Sequence, residues 1–200
     1  MTLEKDQVSE YLLKIILTSK FLSFKGELGQ WFIDLKLLVE ETYVLNGNIP
    51  VTFISHSMGA PMSVIFLQQQ TDEWKDKYIA RLMSVAGAYG GSSKTIKVFA
   101  MGDDLGAFAL RASVMREAQI SMPSTAFLLP FPTFWKPDEV LVKTRTRAYT
   151  FVQLEEFFND LGYPQGWEMR KDNIKYVSNF SAPNVEIHAL FGTQIKTVEV

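Results

Sequence analysis

Apolar residues recur at helical spacing from Gly26 to Leu45. Leu28, Trp31, Phe32, Leu35, Leu38, Val39 and Leu45 form a stripe, with Glu27, Asp34, Lys36, Glu40 and Glu41 largely off it. This predicts an amphipathic helix that Asn46-Gly47-Asn48 stops. The β-branched run Val51 to Ile54 reads as a buried strand, Ser55 to Gly59 as a sharp turn, and the sequence through Gln70 as a second helix. Thr71 to Tyr78 reads as a polar connection, Ile79 to Ala86 as the next strand, and Gly87-Ala-Tyr-Gly-Gly91 as a glycine-dense loop at that strand's carboxyl end. Helix and buried strand alternate, so the fold class is α/β, with a mainly parallel sheet and helices on its faces.

The alternation lapses from Ser92 to Thr150, and a structureless insertion of that length is unusual, so 92–150 is expected to form a cap or lid. Its aromatic run, Phe127 to Trp135, suits an apolar acyl-binding wall or a membrane-facing patch, and suits ordinary core between cap and sheet somewhat better. Lys143-Thr-Arg-Thr-Arg147 alternates with period two and is expected to be a solvated edge strand rather than a site for anionic headgroups. Phe151 to Leu161 is a further amphipathic helix, with Thr150 placed to cap its start and Gly162 its end. Val185 to Phe191 alternates as a strand, with His188 within it as an expected core residue. Near the amino terminus, Tyr11 to Leu22 is interrupted by Lys14 and Lys20 and reads as an amphipathic helix rather than a targeting segment. No stretch has transmembrane length.

Composition narrows the chemistry. The chain has 200 residues, 47% of them hydrophobic, enough for one substantial core. A net charge of −2, from 20 basic and 22 acidic residues, gives no reason to expect a nucleic acid partner. Zero cysteines exclude disulfides within the chain, thiolate metal sites and a cysteine nucleophile. With only two histidines, His56 and His188, a histidine-rich metal site is not expected. The loop Gly87 to Gly91 lacks the Gly-Lys-Ser/Thr spacing of a phosphate cradle, and no cofactor is expected. Asn179-Phe-Ser181 is an N-glycosylation sequon, meaningful in the secretory pathway.

One serine stands in the setting of a nucleophile. Ser57 sits where a strand turns sharply into a helix, with small residues two before it and two after it, so that G-x-S-x-G is met as Ser55-His-Ser57-Met-Gly59. Its hydroxyl needs a base. His56 is adjacent, but neighbouring side chains at a strand end diverge, and His188 falls within a strand, so neither is a good candidate.

These segments together resemble the lecithin–cholesterol acyltransferase and lysosomal phospholipase A2 family of α/β-hydrolase lipases. The resemblance runs from about Gly26 to Thr193. It is carried by Val39-Glu-Glu-Thr-Tyr43, Ser55 to Gly59, Phe66-Leu-Gln-Gln-Gln70, Trp74-Lys-Asp-Lys-Tyr78 and Gly87 to Gly91. Leu128-Leu-Pro130, Phe157 to Gly162 with Gly166-Trp167, and His188-Ala-Leu-Phe-Gly-Thr193 follow in the family's order.

The resemblance implies a partial α/β-hydrolase domain at 26–200, with 92–150 as its cap or lid and 1–25 outside it. Ser57 inherits the nucleophile role and the backbone N–H of Met58 an oxyanion contact. Tyr89, Phe127, Leu128, Leu129 and Trp135 are candidates for a substrate wall. Phospholipid is the implied acyl donor, and water or a lipid alcohol the acceptor. The implied setting is a lysosome or the extracellular space, with contact to a membrane or lipoprotein surface. The chain departs from the family pattern at Ser55, where an elbow glycine is usual, and at Tyr89, where a proline is usual. After the predicted strand Val185 to Phe191, Glu199 is the only carboxylate and no histidine follows, so no triad acid or base is assigned. The chain is expected to be truncated at both ends relative to the family. The alternative is an inactive lipid-binding or interaction fragment.

Overall fold

The computed structural model describes residues 27–104, 106, 111–178 and 180–194. The segment read as amphipathic at 1–25, the side chain of Leu28, Asn179 of the sequon and Glu199 lie outside the described residues. The elements begin with α1 (Glu27–Leu45), β1 (Val51–His56), α2 (Gly59–Gln68), α3 (Asp72–Tyr78) and β2 (Ile79–Val85). Three short helices follow, α4 (Lys94–Met101), α5 (Ala112–Ile120) and α6 (Pro123–Phe127), and then a hairpin of β3 (Val140–Lys143) and β4 (Ala148–Thr150). The described chain closes with α7 (Leu154–Asp160), α8 (Pro164–Val177) and β5 (Ile187–Leu190).

The sheet is parallel with strand order β1-β2-β5, so β2 is central; Phe53 stands opposite Leu82, and Leu82 opposite Ile187. Parallel strands need crossover connections, and here α2 and α3 supply the first of them. Every residue of α2 from Ala60 to Leu67 is buried, as expected of a helix that is apolar all round. Phe66 packs between Phe53 and Phe32, with ring centroids 6.0 and 5.9 Å away, and joins sheet, α2 and α1 in one core. A second core forms among α4 to α7 and the hairpin, around Phe99, Leu129, Leu154 and Phe158. Phe127 and Phe131 belong instead to the first core, so the segment after α6 is shared between the two.

The mixed α/β architecture, with its parallel sheet and flanking helices, agrees with the expectation from sequence. Capping at Thr150 is present in altered form. It makes a reciprocal capping box with Gln153 on a 3-10 turn, Phe151–Gln153, that leads into α7, and Gly162 ends that helix at φ 73°.

Three expectations are corrected. Thr71 to Tyr78 is a helix, not a connection: the Thr71 hydroxyl accepts the Trp74 N–H at 3.3 Å, and Asp72 and Glu73 occupy the first turn. Thr144 to Arg147 is a hairpin turn, not a strand; of the expected edge strand only Lys143 is in a strand, as the last residue of β3. The Thr144 hydroxyl accepts the N–H groups of Thr146 and Arg147 at 3.3 and 2.9 Å, and these local bonds displace the ladder. Arg147 is not free for a headgroup, being paired with Glu156 and Asp160 and stacked 4.7 Å from the Tyr149 ring. His188 is exposed on β5 and shares a hydrogen bond of 2.7 Å with Glu186; it is not a core residue, because no described element covers that part of β5.

Candidate active site

Three consecutive residues turn β1 into α2. His56 ends the strand, Ser57 takes the left-handed backbone at φ 53°, and Met58 returns to the helical region at φ −57° as the N-cap of α2. A non-glycine residue in that region costs about 1–2 kcal/mol and persists only where its surroundings hold it. The surroundings do so through three backbone bonds. The Ser57 N–H donates to the Val85 carbonyl at 3.0 Å, and the Ser57 carbonyl accepts from Ala60 and Ala88, each at 3.1 Å. The side chain of Ser57 is thereby lifted onto the carboxyl edge of the sheet, where open α/β sheets meet their ligands.

Ser55, which stands where the elbow pattern has glycine, is accommodated. Its buried hydroxyl shares a 2.6 Å hydrogen bond with Ser63 one turn into α2. A β-carbon built on Gly59 would lie 3.9 Å from that of Ser55, an ordinary contact, so the turn holds a side chain at 55 without strain. Close approach falls on the next loop instead. A β-carbon at Gly87 would lie 2.6 Å from the Tyr89 ring, 2.7 Å from the Ser84 hydroxyl and 2.9 Å from Ala60, and one at Gly91 would lie 2.5 Å from the Leu129 carbonyl.

A cavity of about 520 Å³ opens beside the elbow, between α1, β1 and α2. Trp31, Leu35, Val39, Phe53, Met58 and Met62 supply much of its apolar wall, and Ser57 lines it too. Among the described residues, His56 is the only titratable side chain on that wall. The size lies in the range of pockets that enclose small organic ligands, roughly 300–1,000 Å³. Besides Ser57, the hydroxyl residues Thr42, Thr52, Ser55 and Ser63 line the cavity, and the hydroxyls of Ser55 and Ser63 are bonded to each other.

Of the residues proposed from sequence, Ser57 and Met58 meet at this cavity, whereas Tyr89, Phe127, Leu128, Leu129 and Trp135 are elsewhere. Phe127 and Leu129 are core side chains. The Tyr89 hydroxyl donates to Ser84 at 3.1 Å, and the Trp135 indole N–H donates to the Gly90 carbonyl at 2.6 Å. The α1 side chains of the cavity went unnoticed in the sequence because they continue the stripe that also feeds the core. Among the described residues no hydrogen bond joins Ser57 to a histidine or carboxylate. Among them, too, no group of three or more His, Asp or Glu is placed to hold a metal ion, and no helix is long and apolar enough to cross a membrane.

Comparison with known proteins adds to this geometry. The sequence model described as lecithin:cholesterol acyltransferase matches residues 22–200. The lysosomal phospholipase A and acyltransferase of Homo sapiens is 40% identical over 172 residues, which is 86% of this chain and 42% of that protein. Its counterpart in Bos taurus is 39% identical over 174 residues, covering 87% of this chain and 42% of the relative. The phosphatidylcholine-sterol acyltransferase of Mus musculus is 34% identical over 163 residues, 82% of this chain and 37% of the relative. The chain thus spans about two fifths of the length of these relatives.

Proposed function

The chain belongs to the lecithin:cholesterol acyltransferase family, and from that premise we propose that it is part of a serine acyl hydrolase or O-acyltransferase acting on phospholipid. One observation carries the proposal: Ser57 is the residue that the β1–α2 turn forces to φ 53°, the strained geometry in which an elbow presents a nucleophile. The names of the relatives, phospholipase A and acyltransferase among them, support the substrate class.

In this account the Ser57 hydroxyl oxygen attacks the carbonyl carbon of a phospholipid ester as its proton passes to a base. The N–H of Met58 stands at the amino end of α2, where helix amides lack intrahelical partners, and it faces the oxyanion of the tetrahedral intermediate. Collapse breaks the ester C–O bond, the leaving alkoxide takes a proton, and the acyl group stays on Ser57. Water then yields a fatty acid, or a lipid alcohol yields a new ester, and either restores the serine. Residues 92–150 act as the cap over the acyl site. The setting is a lysosome or the extracellular space, at a membrane or lipoprotein surface. The test is release of fatty acid from phosphatidylcholine vesicles, and ester formation when a lipid alcohol is added. Both are expected to vanish in Ser57→Ala.

A second reading, a lipid-binding or interaction module without turnover, is favoured by one observation. Among the described residues nothing is bonded to the Ser57 hydroxyl to take its proton. Vesicle binding that survives Ser57→Ala, with no acid released by the unaltered chain, would favour that reading.

A further inference from the structure

Among the described residues, Arg170 is the largest fully buried side chain, 1% exposed in the interior of α8, and no carboxylate of theirs is paired with it. An unpaired buried cation is costly, typically by several kcal/mol, so its retention calls for a reason. Its Nη2 donates to the carbonyl of Pro130, and the guanidinium lies 5.8 Å from the Phe131 ring centroid. The peptide that carries the Pro130 carbonyl also carries the Phe131 N–H, and that N–H donates to the Gly90 carbonyl at 3.0 Å. Gly90 accepts the Trp135 indole N–H at the same oxygen, at 2.6 Å. One residue on, the Gly91 N–H donates to the Ala88 carbonyl at 3.1 Å, and the Ala88 N–H donates to the Ser57 carbonyl, also at 3.1 Å.

We propose that Arg170 is a positioning residue for the elbow: through the Pro130–Phe131 peptide it holds the Gly87–Gly91 loop, and that loop holds the left-handed backbone of Ser57. The physics follows from the order of the donors. A cation bonded to a peptide carbonyl polarises the peptide and strengthens the bond its own N–H makes, most of all in a water-free interior. Burial lowers the guanidinium to about 10, which leaves it charged at neutral pH and able to act in this way. The loop cannot relax toward other shapes without moving Gly91, whose φ of 72° and close approach to the Leu129 carbonyl fix it against the same 128–131 segment. The importance of the relay for chemistry rests on the role proposed for Ser57, but the relay itself does not.

The experiment measures amide hydrogen exchange in the unaltered chain, Arg170→Met, Arg170→Lys and Trp135→Phe, together with the rate at which a fluorophosphonate labels Ser57. Arg170→Met keeps an unbranched apolar stem while removing the charge and the donors. Phe131, Gly91 and Ala88 are expected to lose protection by about tenfold or more, the scale of one charge-assisted hydrogen bond. Leu82, whose N–H bonds Glu186 on the far side of the sheet, is expected to be unchanged. Arg170→Lys restores part of the protection, and labelling of Ser57 slows in Arg170→Met in step with the loop. If Arg170→Met does not fold, Trp135→Phe, which removes only the second donor to Gly90, must still loosen Gly91 and Ala88 selectively. Exchange that rises equally at Leu82 and at the loop, or a loop unmoved in a folded Arg170→Met (or in Trp135→Phe where Arg170→Met does not fold), overturns the proposal. Selective loosening with no labelling in any chain, the unaltered one included, upholds the relay and tells against Ser57 as nucleophile.

Discussion

The amide N–H of Ser57 donates to the carbonyl of Val85 at 3.0 Å, which carries the β1–β2 ladder one residue beyond the end of β1. The backbone is therefore still tied to the sheet at the residue where it turns left-handed. Strain and restraint coincide at one serine, as an elbow requires.

Relief of that strain is measurable. Ser57→Gly removes the steric cost of φ 53° and adds back the backbone entropy of glycine, for a net gain of roughly 0.5–1 kcal/mol. Ser57→Val, β-branched in the same region, is expected to lose about 1–3 kcal/mol. Urea midpoints of the two variants, compared at equal slope, check both signs.

Glycine is needed where the structure is crowded rather than where the motif puts it. Gly59→Ala meets only Ser55, at 3.9 Å, and should change stability by no more than about 0.5 kcal/mol. Gly91→Ala places a β-carbon 2.5 Å from the Leu129 carbonyl at φ 72° and should cost about 2 kcal/mol or more. Thermal unfolding of the pair separates the two positions.

Much of this was legible in the sequence, and what was not has definite causes. The helix stripe of α1, the β-branched run of β1 and the small residues around Ser57 each carry a local signal, and each element formed where that signal lay. α3 was missed although Thr71-Asp72-Glu73 is a helix start, because a seven-residue helix is too short to show a stripe. The turn at Thr144 was mistaken for a strand because threonine and charge alternate there, while the hydroxyl bonds that close the turn leave no mark on periodicity. Arg170 was invisible for the opposite reason. A charged residue on a helix reads as surface, and only the tertiary packing of α8 on α6 buries it.

The aromatic run divides into core and surface. Leu129, fully buried, should cost about 2–5 kcal/mol on replacement by alanine. Phe134, 55% exposed, should cost no more than about 0.5 kcal/mol. Vesicle binding measured beside stability tests whether Phe134 meets lipid: a loss of binding without a loss of stability gives the exposed part of the run a surface role.

Asp72 should confer a pH-dependent advantage. Its carboxyl lies below the usual 3.8 because it accepts hydrogen bonds from Lys75 and Asn184 and feels the charge of Lys75. A depressed carboxyl stabilises the fold above its unfolded value and stops doing so as pH falls through its folded value. The unaltered chain should therefore melt above Asp72→Asn at neutral pH, and the gap should close as pH drops below about 4. A gap that stays constant to low pH would show that the charge of Asp72 is not its source.

The central claim is that Ser57 is an acyl-accepting nucleophile, and covalent labelling tests it most directly. The folded chain is treated with a long-chain alkyl fluorophosphonate and the modified peptide is located by mass spectrometry. The account predicts one adduct, on Ser57, with Ser55 and Ser63 unmodified and no adduct in Ser57→Ala. A folded chain that takes no label at Ser57, or takes it without preference over its neighbouring serines, would contradict it.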